Sequence, residues 1–260
     1  MKKLSMTNAW NETSALVKRE FGLLFLIAFG LVALPTVILQ AAAPDAPPGQ
    51  LPEPGAWMLL VLPVIALSIM GSLTMTGLAL GRSADARDAF GRAVRRFPVV
   101  LAAVLLVGIA AMLLAFPIAV IVVLLAGTGP SALALVSAGI IAVFLSLWAR
   151  MMMLNPVGTA EEVGPAGILK RSWRLTAGHF WRLFGFVLIL IVVFAVLSLA
   201  VNGVIGSVII LAAGQPQGGN LPAVLLLLLN GLLSAVLGVF LAAMVARIYV
   251  QLASEPSSGI

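Results

Sequence analysis

The chain is predicted to be an all-helical integral membrane protein of six spans, and three observations predict it. The sequence is 62% hydrophobic and only 9% charged over 260 residues, whereas a soluble domain carries about 25% charged residues. The apolar stretches are continuous rather than alternating, which favours spanning helices over a β-barrel. All fifteen Lys and Arg residues fall in a few short stretches, outside the long apolar runs. With no cysteine in the chain there is no disulfide and no thiolate chemistry. The formal charge of +6 points to anionic lipid rather than nucleic acid, because the basic residues stand at the edges of apolar runs.

Uncharged stretches give the count. Residues 21–44 and 54–81 are each about one span long. The uncharged stretches 97–149 and 183–246 are each too long for a single span and break at 126–131 and 214–222, where Gly and Pro cluster. The six spans are therefore placed at about 21–42, 56–80, 98–125, 132–153, 180–212 and 223–248, in one membrane domain over 1–260. The first run exceeds the usual core of a secretion signal and is preceded by about twenty mostly polar residues, so it is read as a span. The connections 44–55, 126–131 and 214–222 contain no Lys or Arg. Basic residues stay on the cytoplasmic side, so both termini are expected there, and the location is expected to be a bacterial inner membrane.

The basic segments carry helical patterns of their own. Ser83 is placed as an N-cap, followed by Asp85 and Asp88 in the first turns. Ala86, Phe90, Ala93, Val94 and Phe97 then recur at helical spacing, with Arg92, Arg95 and Arg96 opposite and Asp88–Arg92 as an i,i+4 pair. Segments 164–178 and 7–20 repeat the scheme: Leu169, Trp173 and Phe180 alternate with Lys170, Arg171 and Arg174, and Trp10, Val17 and Phe21 lie beside Lys18 and Arg19. These predict interfacial helices at about 7–20, 83–97 and 164–178, with Gly178 ending the third. The starts at 7, 83 and 164 suggest three repeats of a surface helix and two spans.

No Asp, Glu, Lys or His falls in the middle of a predicted span. Arg150 and Arg247 stand near the basic ends of the fourth and sixth spans, where an Arg can snorkel and grip a lipid phosphate. Arg92, Arg95, Arg96, Lys170, Arg171, Trp173, Arg174 and Arg182 are the further candidates for contact with lipid phosphate or a partner. Ser68, Ser72 and Thr76 share one helix face, and Gly77 and Gly81 form a GxxxG. With Asn202 and Asn230 they are candidate packing residues. One His, no Cys and no intramembrane carboxylate pair cannot assemble a zinc site. Glu161 and Glu162 are expected to begin the third surface helix rather than to act as an acid/base pair. The single Asn155-Pro156 lacks the second half-helix motif that a water or glycerol channel requires. No cofactor and no catalytic constellation is expected.

The run Gly167-Ile168-Leu169-Lys170-Arg171-Ser172-Trp173-Arg174-Leu175-Thr176-Ala177-Gly178-His179-Phe180-Trp181-Arg182-Leu183-Phe184, with Glu161-Glu162-Val163-Gly164 before it, resembles a known element. It is similar to the six-span membrane domain named after glycerophosphoryl diester phosphodiesterases, and to the YciC-like bacterial inner-membrane proteins. Ala89–Pro98 looks like the earlier copy of that element. The resemblance implies six spans but no phosphodiesterase activity, which resides in a separate soluble barrel that this chain does not contain. The expected role is non-catalytic, as a scaffold or accessory subunit among anionic lipids and other membrane proteins. A transporter or channel for a small or lipid-like solute is the first alternative. A lipid-metabolism enzyme using Arg150, Arg171, Arg174 and His179 is the second.

Overall fold

A computed structural model describes residues 5–44, 52–83, 85–127, 129–216 and 219–254; Lys2, Lys3, Asp45 and Thr128, which belong to the sequence reading of the ends and loops, lie outside them. The described residues are helical with no strand, and six helical stretches are long and apolar enough to cross a membrane. The first combines α1 (Met6–Ile27), a π-helical segment (Ala28–Ala33) and α2 (Leu34–Ala42). A 3-10 turn (Ala56–Leu60) leads into α3 (Val61–Ala79). The long α4 (Ala86–Ala126) and α5 (Pro130–Met151) form the next hairpin. Two short helices follow, α6 (Leu154–Ala160) and α7 (Pro165–Thr176). The last hairpin is α8 (Phe180–Val201), a π-helical segment (Asn202–Gly206) and α9 (Ser207–Ala213), then α10 (Leu221–Ala253).

Two of the three expected surface helices are not separate elements. Residues 7–20 run into the first membrane-length helix, and 83–97 run into α4 through Pro98. Proline removes one backbone donor, but Pro98 leaves the helix continuous where a boundary was expected. At 41 residues, α4 is roughly 60 Å long, about twice a hydrocarbon core of ~30 Å. Its first three turns therefore project beyond any bilayer that its apolar part fills. Asp85, not Ser83, is the N-cap of α4. The Asp88–Arg92 pair forms as expected, at 2.8 Å. Only the third surface helix stands alone, and it ends at Thr176 with Ala177 in right-handed helical conformation. Gly178 is not in the left-handed region, so it is not the glycine cap that the sequence suggests. The fourth span was expected to reach residue 153; α5 stops at Met151 and α6 follows as a distinct helix.

Packing is dense at the end where the basic residues gather. There Val100, Met153, Val157, Ile168, Leu183 and Ile248 are almost fully buried in one cluster. A second cluster joins α1, α3 and α10 through Leu24, Met75, Val239 and Ala246. Helix α1 lies along α10: Thr13 Oγ1 donates to Met244 Sδ at 3.5 Å, and Ser5 N donates to Gln251 Oε1 at 3.2 Å. Farther along α4, α5 and α8, Met112, Phe116, Phe144, Ile189 and Leu199 are exposed. In a bilayer that apolar surface meets lipid tails or another protein.

Close approach depends on three glycines. A Cβ on Gly71 would lie 2.8 Å from Val32 Cγ2 and 3.0 Å from Leu31 Cβ, in the π-helical segment before Pro35. One on Gly231 would lie 2.7 Å from Val37 Cγ2, and one on Gly158 would lie 2.6 Å from Val100 Cγ2. The first membrane-length helix is thus gripped between α3 and α10 by small residues. Of the expected GxxxG pair, Gly77 faces α6 with Thr159 Cγ2 at 3.5 Å, while Gly81 lies beyond α3 at φ +67° and shapes the turn instead. Ser72 and Thr76 each donate to the carbonyl four residues earlier, so their hydroxyls stay within α3; Ser68 supplies the carbonyl to Ser72.

Gly71→Ala should lower stability by about 1–3 kcal/mol through overpacking against Val32 and Leu31. Gly22, whose Cβ would meet nothing within 4 Å, supplies the control: Gly22→Ala should be neutral or slightly stabilising. Thermal unfolding of both variants in one mild detergent checks the difference, and equal midpoints would remove the close-approach argument.

Candidate functional site at the basic end

The last turn of α6 is where the ends of several helices meet. Helix C-termini leave carbonyls without intrahelical partners and carry partial negative charge. Arginines supply both deficits here. Arg82, just beyond α3, donates from Nη1 to the carbonyl of Ala160 at 2.6 Å. Arg96, on α4, donates from Nη2 to the carbonyl of Glu161. Glu161 is the C-cap of α6, not the opening of the next helix as the sequence suggested. Its carboxylate accepts from Arg171 Nε at 2.9 Å and from the Tyr249 hydroxyl at 3.0 Å. One residue therefore links α4, α6, α7 and α10. Glu162 is exposed and takes no part in this arrangement.

A second feature stands at the end of α5. Arg150 lies in the last turn of that helix, and its guanidinium carbon is 4.6 Å from the Trp173 ring centroid and 4.7 Å from that of Phe180. Each such contact contributes about 0.5–2 kcal/mol, the more as water is excluded. The rings come from α7 and from the first residue of α8. Helix α7 is held against α5 by Ser172 Oγ, which donates to the Arg150 carbonyl at 2.8 Å. Nη1 of Arg150 is buried with no hydrogen-bond partner. Beside it a groove of about 410 Å³ runs along α4 and α5, lined by Leu114, Ala142, Val143, Ser146 and Leu147. Arg247, the other arginine singled out by its place at a helix end, also has a buried, unpaired Nε, but no aromatic ring covers it among the described residues.

The remaining sequence candidates divide by exposure. Lys170, Arg174 and Arg182 are exposed around Trp173 and Trp181, themselves exposed, and Arg95 is exposed on α4. Arg92 is held by Asp88. Far from this end, Asn202 and Asn230 exchange two side-chain hydrogen bonds, at 2.9 and 3.0 Å. Their amides also donate to the carbonyls of Ser198 and Leu226. The π-helical segment that starts at Asn202 brings the two helices together, and Gly206 sits against Leu226.

Two cavities open among the membrane-length helices. One of about 770 Å³ lies between α3, α4, α5 and α10; Val104, Val107, Leu147 and Leu241 are among its apolar lining, and Ser72, Thr76 and Asn155 supply its polar groups. The other, about 290 Å³, lies between the first and last membrane-length helices and includes Thr36, Gln40, Asn230 and Ser234. No group of three or more His, Cys, Asp or Glu residues able to hold a metal occurs among the described residues.

These features define an all-helical protein of six membrane-length helices with an arginine-tied basic end. The chain belongs to the family described as Domain of unknown function (DUF7847), whose model matches residues 15–252. No curated protein and no solved structure matches it.

Neither Glu161 nor Tyr249 was a sequence candidate for this tie, because 88 positions separate them. The signal available was weak: one of two adjacent glutamates and the single tyrosine of the chain. Glu161→Gln should cost about 1.5–3 kcal/mol, the range for hydrogen bonds to charged groups. Tyr249→Phe should cost about 0.5–1.5 kcal/mol. In a double-mutant cycle between Glu161→Gln and Tyr249→Phe the losses should be less than additive; strict additivity in unfolding midpoints would show that the two side chains act independently.

Proposed function

We propose that this protein is a non-catalytic multi-pass membrane protein, a scaffold or accessory subunit that works by packing against lipid and other membrane proteins. The observation that carries the reading is the cavity of about 770 Å³, set among helices whose apolar faces find few partners within the chain. In lipid, helix association rests on close packing and interhelical hydrogen bonds, and a void of this size is one that another helix or a lipid tail can fill. The polar groups support the same reading. Asn202 and Asn230 spend their amides on each other, and Glu161 is taken up by Arg171 and Tyr249.

The location proposed with this role is a bacterial inner membrane, with the basic end and both termini in the cytoplasm. The likeness of 167–184 to the membrane domain named after glycerophosphoryl diester phosphodiesterases fits that placement. A transporter of a small solute is the second reading, favoured by the smaller cavity with Thr36, Gln40, Asn230 and Ser234 on its wall. Reconstituted vesicles whose solute leak depends on Asn230 would support it.

Because the chain has no cysteine, single-cysteine variants report position cleanly. A membrane-impermeant maleimide should label Gln215→Cys on intact cells, and Ser254→Cys only after permeabilisation. The reverse pattern would invert the topology, and labelling of both without permeabilisation would contradict it.

Gly108 lines the large cavity, and its Cβ would meet nothing within 4 Å. Extracted with its surrounding membrane, the wild-type chain should run as an assembly heavier than the 27.0 kDa protomer, and Gly108→Trp should shift it toward the monomer. A wild-type chain that runs as a lone monomer would overturn the scaffold reading.

A further inference from the structure

We propose that the Arg150 groove is a binding site for one anionic phospholipid, with the phosphodiester on the Arg150 guanidinium and an acyl chain along α4 and α5. The proposal rests on the multi-pass reading above, which puts the basic end at headgroup level.

The cation is unusual in what it lacks. Two rings hold the guanidinium, from Trp173 and Phe180, yet it makes no hydrogen bond among the described residues, and its Nη1 is buried. A guanidinium has five N–H donors in a planar fork, and burial without acceptors is unfavourable. A phosphodiester supplies two anionic oxygens with the spacing that fork matches. The rings meanwhile hold the guanidinium in place before any ligand arrives.

The surroundings select an amphiphile. Below the cation the groove wall is Leu114, Ala142, Val143 and Leu147, with Ser146 as its one hydroxyl. A free phosphate gains nothing from such a wall, whereas an acyl chain does. Its volume of about 410 Å³ lies within the usual ~300–1,000 Å³ of ligand pockets. Phe180 is the first residue of the 22-residue α8, so the phosphate would also sit beside the positive end of a helix dipole. Lys170 and Arg174 are exposed on α7 on either side of Trp173, adding to the local positive potential. The headgroup is thus one with net negative charge, and a zwitterionic choline head would meet this basic rim at a disadvantage.

The test uses the full chain, stripped of lipid in mild detergent. It is titrated separately with short-chain phosphatidylglycerol, phosphatidylcholine and inorganic phosphate, and bound lipid is counted by native mass spectrometry. One phosphatidylglycerol should bind at least tenfold more tightly than phosphatidylcholine, and inorganic phosphate should leave the lipid titration unchanged. Arg150→Gln should lose about tenfold in phosphatidylglycerol affinity. Arg150→Lys should recover only part of it, since an ammonium is a point charge without the stacked fork. Ala142→Trp fills the groove away from the cation and should weaken lipid binding at an unchanged unfolding midpoint, which keeps the test decisive should Arg150→Gln not fold. Arg87→Gln, at an exposed arginine in the first turn of α4, should bind as the wild type. Equal affinity for the two lipids, unchanged binding by both Arg150→Gln and Ala142→Trp, or competition by inorganic phosphate would overturn the proposal. The cysteine-labelling pattern reports on topology independently, so a failed lipid site and a failed multi-pass reading give different results.

Discussion

At the last turn of α6, two carbonyl oxygens and one carboxylate oxygen are answered by three arginines and a tyrosine. Arg82 and Arg96 take the carbonyls of Ala160 and Glu161, while Arg171 and Tyr249 take the Glu161 side chain. The physical constraint is simple. The last carbonyls of a helix have no partner within it, and positive charge there both satisfies them and meets the dipole. Much of the basic end is arranged around that requirement. The chain after α3, the projecting start of α4, the surface helix α7 and the last turns of α10 all reach the same few ångströms. The buried cluster around Val157, Ile168 and Ile248 lies in the same region.

The consequence is an uneven molecule. One end is closed by charge-assisted bonds and a dense apolar cluster, and the other is held by glycine contacts and a single amide pair. The expensive interactions in lipid are unsatisfied polar groups, and the spans meet this demand internally. Thr36, Thr74 and Thr76 return their hydroxyls to carbonyls four residues back, and the two asparagines answer one another. The outward-facing side chains that remain are largely apolar, and the cavity of about 770 Å³ leaves part of the space between the helices unfilled. Arg150 is the exception, a cation 4.6 and 4.7 Å from two ring centroids whose buried Nη1 has no hydrogen-bond partner.

The sequence made the coarse architecture legible because charge exclusion works at the scale of a whole span. The stretch placed at 56–80 is observed as Ala56–Ala79, and the Gly- and Pro-rich breaks placed at 126–131 and 214–222 coincide with the ends of α4 and α9 and the starts of α5 and α10. Shorter-range features were harder to read. The break at Met152 and Met153 is flanked by Arg150 and Asn155-Pro156, but the apolar residues between them continue without a glycine or proline, so the span reads on to residue 153. Pro98 looked like a boundary but sits inside a continuous helix, because one missing donor does not end a helix that is otherwise supported. The GxxxG spacing drew attention to Gly77 and Gly81, whereas Gly71, Gly158 and Gly231 make the tightest approaches. Which face of a helix meets a neighbour depends on the neighbour, and a single sequence does not carry that. The site followed the same rule: the local pair Asp88–Arg92 was visible, and Glu161–Tyr249 was not.

The pairing of α1 with α10 has a consequence for how the molecule is made. A ribosome delivers α1 first and α10 last, and the contacts between them span 246 positions in the case of Ser5 and Gln251. Until the final span is inserted, Thr13 lacks Met244, the first membrane-length helix lacks Gly231 as a partner, and Glu161 lacks Tyr249. Until α10 is made, the earlier hairpins therefore have these packing faces open. Closure arrives in one late event, and a chain truncated before α10 leaves both ends of the bundle unfinished.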